Sequence, residues 1–140
     1  MEFIPGPRNV KIVYEGKPLR IQTPKMRVCN VSEYGTLEFE APEAFVHKWM
    51  ELEDEAKTHA DMEWRSNLTE CKFRAKMDER THIFDDNSKI VHTVPELYNK
   101  FVVCIIEVKS VYRFKGFCGI TCRIHQLKVF SNTYCFGDDE

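Results

Sequence analysis

No apolar run in the 140 residues comes near the roughly 20 that a membrane-spanning helix needs; the longest, Phe101 to Ile106, ends at Glu107. The start, Met1-Glu2-Phe3-Ile4-Pro5-Gly6-Pro7, lacks the basic residues and apolar stretch of a secretory signal. A soluble chain without a membrane partner, working in a reducing intracellular compartment, is the expectation. Also missing are a Gly-rich phosphate loop, Gly-x-Ser-x-Gly, His-Glu-x-x-His and Cys-x-x-Cys, so none of the common catalytic spacings is present. A protein that is not an enzyme and needs no cofactor is expected. No internal repeat or low-complexity segment is visible.

Cysteine is present, at 29, 71, 104, 118, 122 and 135, but 104 and 122 fall within strand patterns, where the residue serves as a small buried hydrophobe. Without an export signal, free thiols are expected. Cys118, Cys122 and His125 suggest a zinc cluster only until a second matching ligand pair is sought. None exists, and no metal is assigned. His47, Glu51 and Glu55 share one helical face, which reads as a solvated acidic surface. Asp85-Asp86-Asn87-Ser88 lacks the Gly and distal Glu of a calcium loop and reads as a turn.

The chain is long enough to bury a core of its own. Residues 1–135 are expected to form a single domain and 136–140 a short acidic tail. Asn9 to Thr23 alternates as a hairpin turning at Glu15-Gly16-Lys17-Pro18. Met26 to Cys29 and Thr36 to Glu40 alternate across a turn at Ser32 to Gly35. From Pro42 the period changes: Ala44, Phe45, Val46, Trp49, Met50 and Leu52 recur at helical spacing, predicting a helix to about Thr58. Lys72 to Met77 and Thr81 to Phe84 read as strands after a loop, and Pro95 to Tyr98 as one helical turn. Phe101 to Phe114 and Gly119 to Phe130 form the clearest hairpin, across Lys115-Gly116-Phe117-Cys118.

About seven strands with one helix point to a mainly β fold. A small Greek-key barrel of the oligonucleotide-binding type, with the acidic helix inserted between strands, satisfies that order. A jelly roll or immunoglobulin-like sandwich leaves the helix unexplained.

The formal net charge of −2 hides an uneven distribution. Residues 1–30 carry six basic and two acidic groups, residues 31–70 three and eleven, and residues 71–128 eleven and six. Acid therefore gathers around the helix and leaves the strands positive. In an ordinary half-buried sheet such cations are simply solvated alternates of core residues. Here aromatic residues are interleaved with them. Tyr112, Phe114 and Phe117 accompany Lys109, Arg113, Lys115, Arg123 and His125, and Tyr14 accompanies Lys11, Lys17 and Arg20. Single strands of nucleic acid are held by these two chemistries, cations along the phosphates and rings beneath the bases, with roughly 1–3 kcal/mol per stacked base. Lys11, Arg20, Lys109, Arg113, Arg123 and Lys128 are the candidate phosphate contacts, and Tyr112 and Phe117 the candidate stacking rings.

The run Phe117-Cys118-Gly119-Ile120-Thr121-Cys122-Arg123-Ile124-His125-Gln126-Leu127-Lys128-Val129 resembles the last core strand of viral single-stranded DNA-binding proteins. These are the replication proteins of large DNA viruses and their tailed-phage counterparts, whose strand opens Phe-Gly-Ile/Leu and closes Gln-x-Lys-Val. Gly16-Lys17-Pro18-Leu19-Arg20-Ile21-Gln22-Thr23-Pro24-Lys25-Met26 is similar to their N-terminal strands. The resemblance implies an oligonucleotide-binding barrel, sequence-independent single-stranded DNA binding in replication, recombination or repair, and a place in the cytoplasm or nucleus of an infected cell. It also implies that Phe136, Asp138, Asp139 and Glu140 contact replication proteins, although here the ring precedes the acids. The alternatives are a viral structural or host-interaction protein built as a β-sandwich, which leaves homo-oligomerisation open, and a small hydrolase using His125 with a carboxylate.

Overall fold

A computed structural model describes residues 1–130; Phe136, Asp138, Asp139 and Glu140 lie outside them. The described chain runs β1 (Glu2–Pro5), β2 (Asn9–Tyr14), β3 (Lys17–Gln22), β4 (Met26–Val31), β5 (Thr36–Glu40), α1 (Glu43–Lys57), β6 (Glu63–Arg65), β7 (Leu68–Thr69), β8 (Lys72–Lys76), β9 (His82–Phe84), β10 (Ile90–Val91), β11 (Phe101–Phe114) and β12 (Phe117–Phe130). β11 pairs along its length with β12, and the ring β11, β4, β5, β8, β12 closes on itself. The fold is mainly β and barrel-like with a single helix.

The long hairpin is the frame. Lys115 and Gly116 occupy its two-residue turn at φ 51° and 85°, the left-handed pair that matches the twist of the flanking strands. The free edge of β11 is shared among three strands. β4 takes Phe101 and Val102, β3 takes Ile105 to Val108, and β2 takes Ser110 to Tyr112. Because β2 and β3 divide that edge at Lys109, the turn of their own hairpin stands off β11 there.

Alternation sends Val102, Cys104, Ile106 and Val108 of β11, with Ile124 and Leu127 of β12, into the interior. Phe39 of β5 and Phe73 of β8 meet them. α1 supplies the remainder from Phe45, Trp49, Leu52 and Ala56, spaced as one helical stripe. Trp49 meets Phe73 edge-on at 4.7 Å between ring centroids, and such a buried ring costs about 3–5 kcal/mol to truncate.

The sequence-predicted helix, the first long hairpin strand and the strands near 26, 36, 72 and 82 stand where alternation and helical spacing placed them, whereas β12 begins two residues earlier than expected, with Phe117 and Cys118 paired in the ladder and not in the turn. Pro95 to Tyr98 is not a helical turn. Leu97 is buried, and the Lys100 amide donates to the Leu97 carbonyl at 3.0 Å, closing a turn with Asn99 at φ 66°. Ala44 and Met50 face outward instead of joining the core. Glu51 and Glu55 are exposed as expected, but Glu53 points inward. Its buried carboxylate accepts from Trp49 Nε1 at 2.8 Å, Trp64 Nε1 at 3.3 Å, Ser66 Oγ at 2.9 Å and the Asn67 amide at 3.0 Å. Four neutral donors thus tie the helix to the segment around β6 and β7, leaving few lone pairs unmet.

Candidate nucleic-acid interface

Outward positions on the barrel fall into two unlike surfaces. On β4, β5 and β8, cations face carboxylates across the strands. Arg27 pairs with Glu40 at 2.9 Å and Arg74 with Glu38 at 3.7 Å, while Lys72 lies in register with Glu40. Both carboxylates there are ion-paired, while Lys72 and Lys76, also outward, have no ion pair among the described residues.

The other surface spans β3, β11, β12 and β9, and its cross-strand rows follow from register. Arg27, Phe101 and Phe130 form one row; Val103, Lys128 and Phe84 the next; Gln22, Ile105, Gln126 and His82 the third; Arg20, Glu107 and Arg123 the fourth. At the first row Lys25 Nζ lies 4.2 Å from the centroid of Phe130 and 5.8 Å from that of Phe101, and Lys128 Nζ approaches Phe130 at 5.6 Å. Lys128 also donates to Ser88 Oγ at 3.2 Å. Neither lysine makes an ion pair among the described residues. The middle rows form an open trough of about 330 Å³ bounded by Gln22, Phe84, Ser88, Val103, Ile105, Gln126 and Lys128.

The fourth row is closed by charge. Arg20 pairs with Glu107 at 3.1 Å, and Arg123, 7% exposed, donates twice to Asp78 at 2.8 Å and lies 3.7 Å from Glu107. Hydrogen bonds from Arg123 hold the Asp78 carboxyl far below the usual carboxylate range. Burial would raise Glu107, but the hydrogen bond and charge of Arg20 outweigh it and its pKa is lowered. His125, the extra residue at the irregularity between Ile105 and Ile106 of β11, is pushed below its ordinary value by burial, then by the nearby Arg20 and Arg123 charges.

The sequence-predicted contacts are therefore dispersed. Lys11 and Lys109 come together with Glu107 beside the departing β2–β3 turn, around a small hollow of about 80 Å³, and Arg20 reaches the same carboxylate. Tyr112, Arg113 and Phe117 sit at the far end of the long hairpin. There Arg113 pairs with Asp61 at 3.4 Å, and the Arg65 guanidinium covers the Phe117 ring at 3.5 Å. Tyr112 lies over Gly119, where an added Cβ would come within 2.7 Å of its ring and hydroxyl; only glycine admits that approach. Arg123 is taken up by Asp78 and Glu107, a structural role in place of the phosphate contact its strand position suggested. Lys128 alone of the eight stands on the rim of the ring-bearing trough.

Lys25, Phe84, Phe101 and Phe130, with the trough's two glutamines, were not singled out from the sequence. One signal was available. The outward positions of β11 are themselves apolar at Phe101, Val103 and Ile105, so the strand lacks the polar outer face of a solvated sheet. Among the described residues no cluster of His, Cys, Asp or Glu is arranged to hold a metal. Burial raises the Cys104 and Cys122 thiols, the latter to about 12 with help from Glu53, so neither carries a reactive thiolate. Among the described residues no helix is long and apolar enough to cross a membrane.

No protein-family model matches the chain, and no curated protein matches it in sequence. In three dimensions it is similar to gp2.5, a single-stranded DNA binding protein encoded by bacteriophage T7, with a TM-score of 0.57 and 7% sequence identity, over 79% of this chain and 91% of that one. At that identity the likeness is one of fold, and this chain shares the fold of the phage protein.

Proposed function

We propose that this chain is a single-stranded DNA-binding protein of a virus or phage, with an oligonucleotide-binding type of barrel, acting in DNA replication, recombination or repair in the infected cell. The observation that carries the reading is the first row of the outer face. Two half-buried rings, Phe101 and Phe130, stand side by side, with Lys25 over both and Lys128 over Phe130, and neither lysine is ion-paired among the described residues. Bases stack on rings of either kind of sequence, and phosphates take the lysines. The trough beside this row gives the strand a path across β11 and β12, and Lys11, Lys109 and Arg20 lie further along the same surface. The likeness to a phage single-stranded DNA-binding protein supports the same reading.

Phe136, Asp138, Asp139 and Glu140 are proposed as the contact for replication proteins and as a competitor for the cationic surface. Removing residues 136–140 should then tighten binding to a labelled oligo-dT strand. The main reading is tested by the same titration across a salt series. Affinity should fall steeply with salt, and replacing both Lys25 and Lys128 by alanine should reduce the log–log slope by about 1.4, two phosphate contacts at roughly 0.7 each. Absence of binding at low salt would remove the reading.

A further inference from the structure

The trough differs in chemistry from the lysine row beside it. Its walls are the neutral amides of Gln22 and Gln126, which flank Ile105 from the strands on either side. Neither amide has a hydrogen-bond partner among the described residues, although Gln126 is half-buried. Each therefore offers an unused carbonyl oxygen and two N–H donors.

The two backbones stand two strand spacings apart, roughly 10 Å, which leaves room for one flat ring on Ile105 and Val103. Phe84 closes one side, and Lys128 stands at the rim on the row next to the amides. The volume of about 330 Å³ lies at the small end for ligand sites.

We infer that this trough is a seat for a single nucleobase, whose hydrogen-bonding edge is read by Gln22 and Gln126. The inference rests on the strand-binding reading above and sharpens it. Contacts at the lysine row are indifferent to sequence, whereas amides paired with a base edge distinguish donors from acceptors. Binding along the strand is sequence-tolerant overall, with a preference imposed at one nucleotide.

Anisotropy titrations of labelled oligo-dT, oligo-dA and oligo-dC at one salt concentration test this, using the native protein with Gln22→Leu and Gln126→Leu. Both positions face outward, and thermal melting of each variant confirms that it folds. The native protein should separate the three strands, and each substitution should narrow the separation by about threefold to tenfold, one to two hydrogen bonds' worth. The salt slope should stay unchanged. Equal affinities in the native protein, or a separation that survives both substitutions, would overturn the base seat while leaving strand binding intact. Failure to bind any of the three strands would remove the strand-binding reading and the seat with it.

Discussion

The two outer faces of this barrel use similar numbers of cations to opposite ends. Across β4, β5 and β8, Glu40 and Glu38 are paired with Arg27 and Arg74, and the outward lysines Lys72 and Lys76 have no ring contact among the described residues. Across β3, β11, β12 and β9 the carboxylates are drawn to one end, where Glu107 and Asp78 hold Arg20 and Arg123. Lys25 and Lys128 are left at the other end with rings beneath them. The lesson is that counting basic residues on strands does not locate a phosphate site. What matters is which of them the cross-strand register leaves both unpaired and beside a ring.

Breaking the closed end should have the largest effect, and on stability. Asp78→Ala leaves the Arg123 guanidinium buried with half its partners gone, and a loss of about 3 kcal/mol is expected in urea unfolding. Slightly smaller is the effect of reversing the open end. Lys25→Glu with Lys128→Glu should weaken oligo-dT binding about a hundredfold at low salt, near 2.7 kcal/mol, with the melting temperature hardly moved. Lys72→Glu on β8, away from the rings, serves as the contrast and should change affinity by less than about twofold.

The acid limb of stability sharpens the comparison further. The Asp78 carboxyl has a folded pKa depressed far below the roughly 3.9 of an unfolded chain. Its contribution is fully present above that unfolded value and is lost as pH falls toward the folded one. Asp78→Asn should therefore flatten the decline of stability below about pH 4, measured as unfolding free energy against pH. A variant that declines as steeply as the native protein would place the acid-labile charge elsewhere. The smallest effect on stability belongs to the face of β4, β5 and β8, where Glu40→Gln separates a partly exposed pair and should cost less than about 1 kcal/mol.

The fold was legible where a period ran long enough to be heard. α1 shows its stripe at Phe45, Trp49 and Leu52, and the β11–β12 hairpin shows alternation on both sides of Lys115-Gly116. β6, β7 and β10 have two or three residues each and no period of their own; β12, β8 and β9 supply their pairing. Glu53 was hidden among the acids of the helix, because only the Trp64 to Asn67 segment supplies the remaining donors that make its burial tolerable.

The site was less legible, for a topological reason. Lys25, Phe101 and Phe130 are far apart along the chain and meet only because β4 and β12 occupy opposite edges of β11. Arg123 looked like every other cation alternating along a strand, and its commitment to Asp78 depends on a turn that no local pattern announces. Lys128 was named from the sequence only as one of six candidate phosphate contacts; its place beside the apolar Val103 is a fact of the ladder. The pairing of Arg65 with Phe117 likewise arises from the parallel contact of β6 with β12.

The most direct measurement is an amide-resolved NMR titration of the native protein with oligo-dT. Shifts concentrated at Lys25, Phe101, Val103, Ile105, Gln126 and Lys128 are the predicted result. Shifts gathered instead on Glu38, Glu40, Lys72 and Arg74, with the ring-bearing face silent, would contradict it.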